Sequence, residues 1–108
     1  MPVFSQMSIA LRPGVRDAAI KAFRERRVLE ECAQSIPGFI SARLLLPLDA
    51  PDAICVMAEW QGVSDFEAWT RHPLRDAQEA DLVHFLAAPP VTTVFQRALV
   101  YDQPQKHL

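Results

Sequence analysis

The sequence predicts one α+β domain with its elements in the order β-α-β-β-α-β, and three observations carry that reading. Apolar residues alternate with period two in two short stretches, two further short apolar runs flank a turn, and two longer segments repeat apolar residues at three- and four-residue steps. Between these segments fall Pro-Gly, Pro-Leu-Asp-Ala-Pro and Ala-Pro-Pro, the chemistry of turns and stops. The chain has 108 residues, 50% of them apolar, which is the globular range and enough for a single core.

The first strand spans 3–11. Val3, Met7, Ile9 and Leu11 fall on one face, and Phe4, Gln6, Ser8 and Ala10 on a mixed second face. Arg12-Pro13-Gly14 ends it, since proline cannot continue a ladder. A long helix is expected from 15 to 35, with Ala19, Ala22, Phe23, Leu29, Ala33 and Ile36 in one apolar stripe. Arg26 lies near that stripe and is expected to snorkel its head group to water. Pro37-Gly38 stops the helix, the glycine being suited to a left-handed exit.

Two strands, 40–46 and 54–60, flank the turn 47–52 and are expected to pair as a hairpin. Ser64 is the expected cap of the second helical region, with Glu67 at capping-box spacing. Pro73 interrupts this region and restarts it, because proline is tolerated in a helix's first turn. The restarted helix runs to about Leu86 and carries Leu74, Ala77, Asp81, His84 and Phe85. Ala87-Ala88-Pro89-Pro90 ends it. The last strand, 91–101, alternates Val94, Ala98 and Val100 against Phe95, Arg97, Leu99 and Tyr101. The polar tail, 102–108, is expected to fray unless a partner holds it.

This order is the split unit of ferredoxin-like folds, a four-stranded antiparallel sheet with helices on one face, and the single domain takes in 1–108. The uncovered face should be polar, but the hairpin strand 54–60 is apolar on both sides: Ile54, Val56 and Ala58 on one, Cys55 and Met57 on the other. An uncovered apolar face marks an interface, so a homodimer closing sheet against sheet is expected.

Composition narrows the function. A net charge of −2 gives no footprint for nucleic acid, and Arg24-Glu25-Arg26-Arg27 reads as a solvated helix face. No stretch approaches the ~18 apolar residues that span a bilayer. The opening Met-Pro-Val-Phe-Ser-Gln lacks a signal peptide's basic region and apolar core, so a cytoplasmic location is expected, with no membrane partner. Cys32 and Cys55 are expected as buried free thiols. No metal-ligand spacing occurs, and three glycines leave nothing to build a nucleotide-binding turn.

Glu59-Trp60, then Ser64-Asp65-Phe66-Glu67-Ala68-Trp69, then a proline-interrupted helix resembles the antibiotic biosynthesis monooxygenase family. Pro37-Gly38-Phe39 and Ala88-Pro89-Pro90 also look like that family, and the resemblance spans nearly the whole chain. It implies a dimeric α/β barrel. The superfamily includes cofactor-free oxygenases of phenolic substrates, haem-degrading enzymes, isomerases and proteins without known activity. In the haem-degrading branch a tryptophan of the Phe-x-Ala-Trp segment lines the cavity, and Trp69 matches it. That branch also uses an asparagine on strand 1 and a histidine about three turns beyond the tryptophan. Met7 and Glu79 fall at those positions, so haem degradation is not expected. His84 reaches the histidine position only with a shifted register.

A cofactor-free oxygenase needs an apolar pocket for an aromatic substrate, a base and an oxyanion donor. The candidate walls are Trp69, Met7, Met57, Phe23 and Phe66. His72 or His84 is the candidate base and Arg75 the anion stabiliser, with no metal and no cofactor called for. Each polar candidate has a structural rival: His72 as a surface or capping residue, His84 as a hydrogen-bonded packing residue, Arg75 as a solvated helix residue. Trp69 rather than Trp60 is expected to line the pocket, Trp60 packing the corner where the chain leaves the sheet. The expectation is an oxygenase of a phenolic or quinol-like small molecule. The alternative is a non-catalytic dimeric module binding a small hydrophobic ligand.

Overall fold

Strand β1 (Val3–Ala10) lies inside the sheet, paired antiparallel with β3 (Ala53–Trp60) on one side and β4 (Val91–Gln96) on the other. Strand β2 (Phe39–Leu45) completes the order β2-β3-β1-β4, with a register shift between Phe39 and Ser41. The helices are α1 (Arg16–Arg26), α2 (Val28–Ser35), α3 (Val63–Thr70) and α4 (Pro73–Leu82), followed by a 3₁₀ turn, Val83–Phe85. This computed structural model describes residues 1–104, so part of the expected frayed tail, 105–108, lies outside the described residues. The ferredoxin-like α+β fold and the hairpin stand as the sequence predicts.

Register decides which side chains meet the helices. Val3 faces Trp60, Ser5 faces Ala58 and Ile9 faces Ile54, and all six are buried. Side chains alternate across a strand, so Phe4, Glu59, Met57 and Cys55 point to the opposite face. That outer face is apolar in part: Ile40, Leu45, Val91 and Phe95 are exposed. At one end of the strands Arg97 pairs with Glu59 at 2.8 Å and lies over the Phe4 ring, 5.2 Å from its centroid.

The structure corrects several local expectations. The helix expected over 15–35 is broken at Arg27, which sits in the left-handed region (φ 58, ψ 45) and closes α1 through its N–H to Arg24 and Phe23 carbonyls. No glycine or proline marks this break. It rotates α2 so that Val28 and Cys32 are buried, while Ala33 is exposed. Arg26 keeps its head group at the surface and pairs there, donating to Asp81 at 2.8 Å and to Glu31 at 3.0 and 3.1 Å.

Gly38 is not left-handed either. Its role is space, since a Cβ there would collide with the Asp65 carboxylate. That carboxylate accepts from the Gly62 N–H at 3.1 Å and starts α3, so Asp65, not Ser64 with Glu67, does the capping. Pro73 does restart the helix, but α4 ends at Leu82 and tightens into the 3₁₀ turn before Leu86. The last strand stops at Gln96 instead of 101. Gln96 pairs with Val3; beyond it Pro2 accepts from the Arg97 N–H at 3.5 Å but has no N–H of its own to carry the ladder on. Leu99 and Tyr101 are accordingly exposed.

Two substitutions test this account. Gly38→Ala is expected to lower stability by about 1–3 kcal/mol, by evicting the Asp65 cap and straining the tight approach. Arg27→Gly is expected to be neutral or slightly stabilising, because glycine carries no left-handed penalty, whereas Arg27→Val costs at least ~1 kcal/mol. Urea melts of the three variants against the parent check both; equal effects of Gly and Val at 27 would refute the backbone explanation.

Candidate functional site

The core is not continuous. One cluster gathers Ile9, Leu11, Phe23, Val28, Ile54 and Leu82; a second gathers Val3, Cys32, Ile36, Ala58, Trp60 and Trp69. Between the sheet and the helices, bordered by both clusters, is a cavity of about 110 Å³. Its sheet wall includes Ser5, Met7, Val56 and Ala58, and its helical wall Phe23, Cys32, Trp69 and Gln78. Arg75, Glu79, Pro90 and Thr92 form partly exposed rim positions. An apolar cavity of ~150 Å³ takes one benzene ring, so this space is on the scale of a single ring.

Of the residues the sequence singles out, Trp69, Met7, Phe23, Phe66 and Arg75 lie together on the lining. Met57 lies on the other face of the sheet, because its neighbours Val56 and Ala58 take the cavity side. Trp60 also lines the cavity, which departs from the expectation that it would only pack a corner. It is core as well: 1% exposed, held edge-on by Phe39 and Phe66 at 5.7 and 6.0 Å, its indole N–H donating to Ser5 Oγ at 3.0 Å.

The histidines are placed elsewhere. His72 stacks on Trp69 with ring centroids 5.7 Å apart, and its Nδ1 accepts from the Leu74 N–H at 3.1 Å. It is the cap of α4, the structural role sequence spacing allowed, and it is outside the lining. His84 is exposed, its ring against Phe85 at 4.1 Å, and is also outside the lining. Arg75 pairs with Glu79 at 3.4 Å along the outer turn of α4. Cys32 is a buried thiol pushed up to about 12 by desolvation, so it stays protonated at neutral pH. Cys55 is only half-buried, short of the full burial expected of it, and desolvation raises its pKa too. Among the described residues, no three His, Cys, Asp or Glu side chains group as a metal site.

Two lining residues escaped the sequence reading. Ser5 shares the parity of Val3 and Met7, and so had to face the helices. Gln78 lies four residues after Leu74 and four before Leu82, on the inward stripe of α4, whereas Glu79 turns outward. Gln78 is 6% exposed and donates from Nε2 to the Val28 carbonyl at 3.2 Å and to Glu31 at 3.0 Å. Glu31 in turn holds Arg26, so one network ties the break after α1 to the cavity wall. The Arg26 guanidinium and then the Gln78 amide hold the Glu31 carboxyl below the usual carboxylate range. Glu31 and then Asp81 raise Arg26 in the same way.

A small α+β sandwich with an apolar, two-tryptophan cavity between its layers is thus the class of protein. The model of the antibiotic biosynthesis monooxygenase family matches residues 2–80, and the chain belongs to that family. No curated protein matches the chain. Among solved structures it resembles Rv0793 from Mycobacterium tuberculosis, with 17% identity and a TM-score of 0.75 over 94% of this chain and 100% of that one. SnoaB from Streptomyces nogalater, described as a cofactor-independent oxygenase, is 15% identical, with a TM-score of 0.75 over 94% and 98% of the two chains. MhuD, solved with manganese protoporphyrin IX in its active site, is 21% identical, with a TM-score of 0.75 over 94% and 99%. No helix among the described residues is long and apolar enough to cross a membrane.

The depressed Glu31 carboxyl makes a pH prediction. A carboxyl held below its unfolded value, near 4.5, contributes its stability above that pH and loses it as pH falls through the folded value. Thermal melts from neutral to acid pH are therefore expected to drop more steeply below about pH 4.5 for the parent than for Glu31→Gln, which has nothing there to protonate. Parallel acid limbs would show that the network does not stabilise the fold.

Proposed function

We propose that the chain binds a small phenolic or quinol-like aromatic in this cavity and oxidises it with dioxygen, without a cofactor of its own. The observation that carries the reading is the ring-sized cavity with Trp60 and Trp69 in its lining and a cationic Arg75 at its rim. Family membership and the activity described for SnoaB support the oxygenase reading. Oxidation by dioxygen requires the substrate to develop anionic character, and a fixed guanidinium beside the ring stabilises it. Each histidine abuts one lining residue, His72 against Trp69 at 5.7 Å and His84 against Phe85 at 4.1 Å; His72 acts as base only by releasing the Leu74 N–H it caps.

A second reading, a non-catalytic binding module, is favoured by one fact. Among the described residues of the lining, the ionisable groups are Arg75, Glu79 and a Cys32 thiol that stays protonated, with neither histidine present. Haem degradation is not part of either proposal, because Met7 supplies no amide on β1 and Gln78, not a histidine, occupies the inward position of α4.

The homodimer belongs to the same proposal. Ile40, Leu45, Val91 and Phe95 give the outer sheet face apolar patches that a second copy would cover. At ~25 cal/mol per Å², several hundred Å² of such surface offsets much of the cost of association.

Oxygen uptake with a panel of hydroquinones and anthrones separates the two readings, run beside tryptophan quenching under nitrogen. Quenching with uptake above the protein-free rate supports the oxygenase, and Arg75→Leu should then slow it on the order of 100-fold. Quenching without uptake supports the binding module, and neither signal overturns both. Light scattering that finds only the 12.1 kDa species at micromolar concentration would remove the dimer.

A further inference from the structure

We propose that Ser5 and Gln78 read the polar atoms of the cavity's ligand, and that they select a neutral single-ring aromatic carrying a hydrogen-bond acceptor at one edge and a donor at another. The inference rests on the reading of the cavity as a ligand site. Among the described residues Ser5 and Gln78 are the two buried polar ones, 7% and 6% exposed, and both line the cavity, Ser5 from the sheet and Gln78 from α4. Buried polar groups left unpaired are costly, so what each side chain has left to offer is informative.

The remaining capacity follows from what each partner can do. An indole N–H only donates, so the Trp60 contact at 3.0 Å uses Ser5 Oγ as an acceptor. The Ser5 hydroxyl proton has no acceptor among the described residues, so Ser5 meets the cavity as a donor. A carbonyl and a carboxylate only accept, so the bonds to Val28 and Glu31 fix which end of the Gln78 amide is nitrogen. Both Gln78 N–H groups are thereby committed. Its Oε1 has no donor among the described residues, and Gln78 meets the cavity as an acceptor.

The two offers are complementary and lie on opposite walls. A ligand satisfies both by presenting a carbonyl or ether oxygen to Ser5 and an O–H or N–H to Gln78. The charged groups of the rim, Arg75 and Glu79, pair with each other at 3.4 Å, so the interior asks for no net charge. A cavity of about 110 Å³ limits the body of the ligand to one ring. The class selected is a hydroxylated aromatic ketone, aldehyde or quinol monoether. Simple hydrocarbons leave both polar groups unpaired, and carboxylates bring a charge with no interior partner.

Three probes of nearly one shape test this by isothermal titration of the full chain in mildly acidic buffer, where all are neutral. Para-hydroxyacetophenone has both groups, para-methoxyacetophenone lacks the donor and para-ethylphenol lacks the carbonyl. The parent is expected to bind the first roughly tenfold more tightly than either analogue, the scale of one well-placed buried hydrogen bond. That ranking needs no variant and so survives any folding failure. Ser5→Ala should bring para-hydroxyacetophenone and para-ethylphenol to parity while keeping the preference over the methoxy probe. Gln78→Lys can still donate to Val28 and Glu31 but offers no acceptor, and it should erase the preference over the methoxy probe alone. Equal affinities in the parent, or variants that weaken all three probes in parallel, overturn the proposal and leave the cavity as a ligand site. Absence of heat with every probe overturns the ligand-site reading together with it.

Discussion

Every feature of the site goes back to the position of β1, which is hydrogen-bonded on both edges. Pairing with β3 and β4 at once fixes its register from two sides, and a slip of one residue would turn Val3, Ser5, Met7 and Ile9 away from the helices. The same register sets Ala58 and Trp60 opposite Ser5 and Val3, which puts the indole within reach of the Ser5 hydroxyl. The bond does two things. It satisfies the one polar atom of a fully buried tryptophan, and it occupies one acceptor position of the Ser5 hydroxyl while leaving the hydroxyl proton unspent. Packing and recognition are therefore set by a single contact.

The helical layer answers that constraint from above. Arg27 breaks what would have been one rod, and the redirected α2 brings Glu31 to where Arg26, Gln78 and, through Arg26, Asp81 converge. An ion pair this exposed adds little by itself. Its use is geometric: it fixes the orientation of a buried amide that lines the cavity. Ser5 and Gln78 stand on the two inward stripes, one of the sheet and one of α4, that border the space between the clusters.

Pattern makes the fold readable: alternation over 3–11, short apolar runs on either side of the turn 47–52, and stops at Pro37, Pro73 and Pro89 leave few other topologies. Met7, Phe23 and Phe66 are readable as positions of regular elements, whereas Trp69 as a cavity wall is readable through the family resemblance. What stayed hidden depended on non-local contacts. A left-handed arginine has no local signature, and the need for glycine at 38 comes from a carboxylate 27 positions later, at Asp65. Gln78 has no motif to mark it, only its helical spacing from Leu74 and Leu82, and the chemistry that singles out His72 and His84 says nothing of where their rings lie. The end of β4 was out of reach too, since it is set by where the neighbouring strand begins.

Strand β4 differs from the other three in that every one of its residues is exposed, whereas even the edge strand β2 has half-buried positions. Its hold on the molecule is the backbone ladder to β1 along one edge, with no apolar anchor beneath it. Elements of this sort open first when a protein fluctuates, in partial unfolding events that cost far less than global unfolding. Thr92 on this strand and Pro90 just before it belong to the cavity rim. Opening this edge strand would therefore widen the mouth of the cavity on its Pro90–Thr92 side while the helices and the other three strands stay folded.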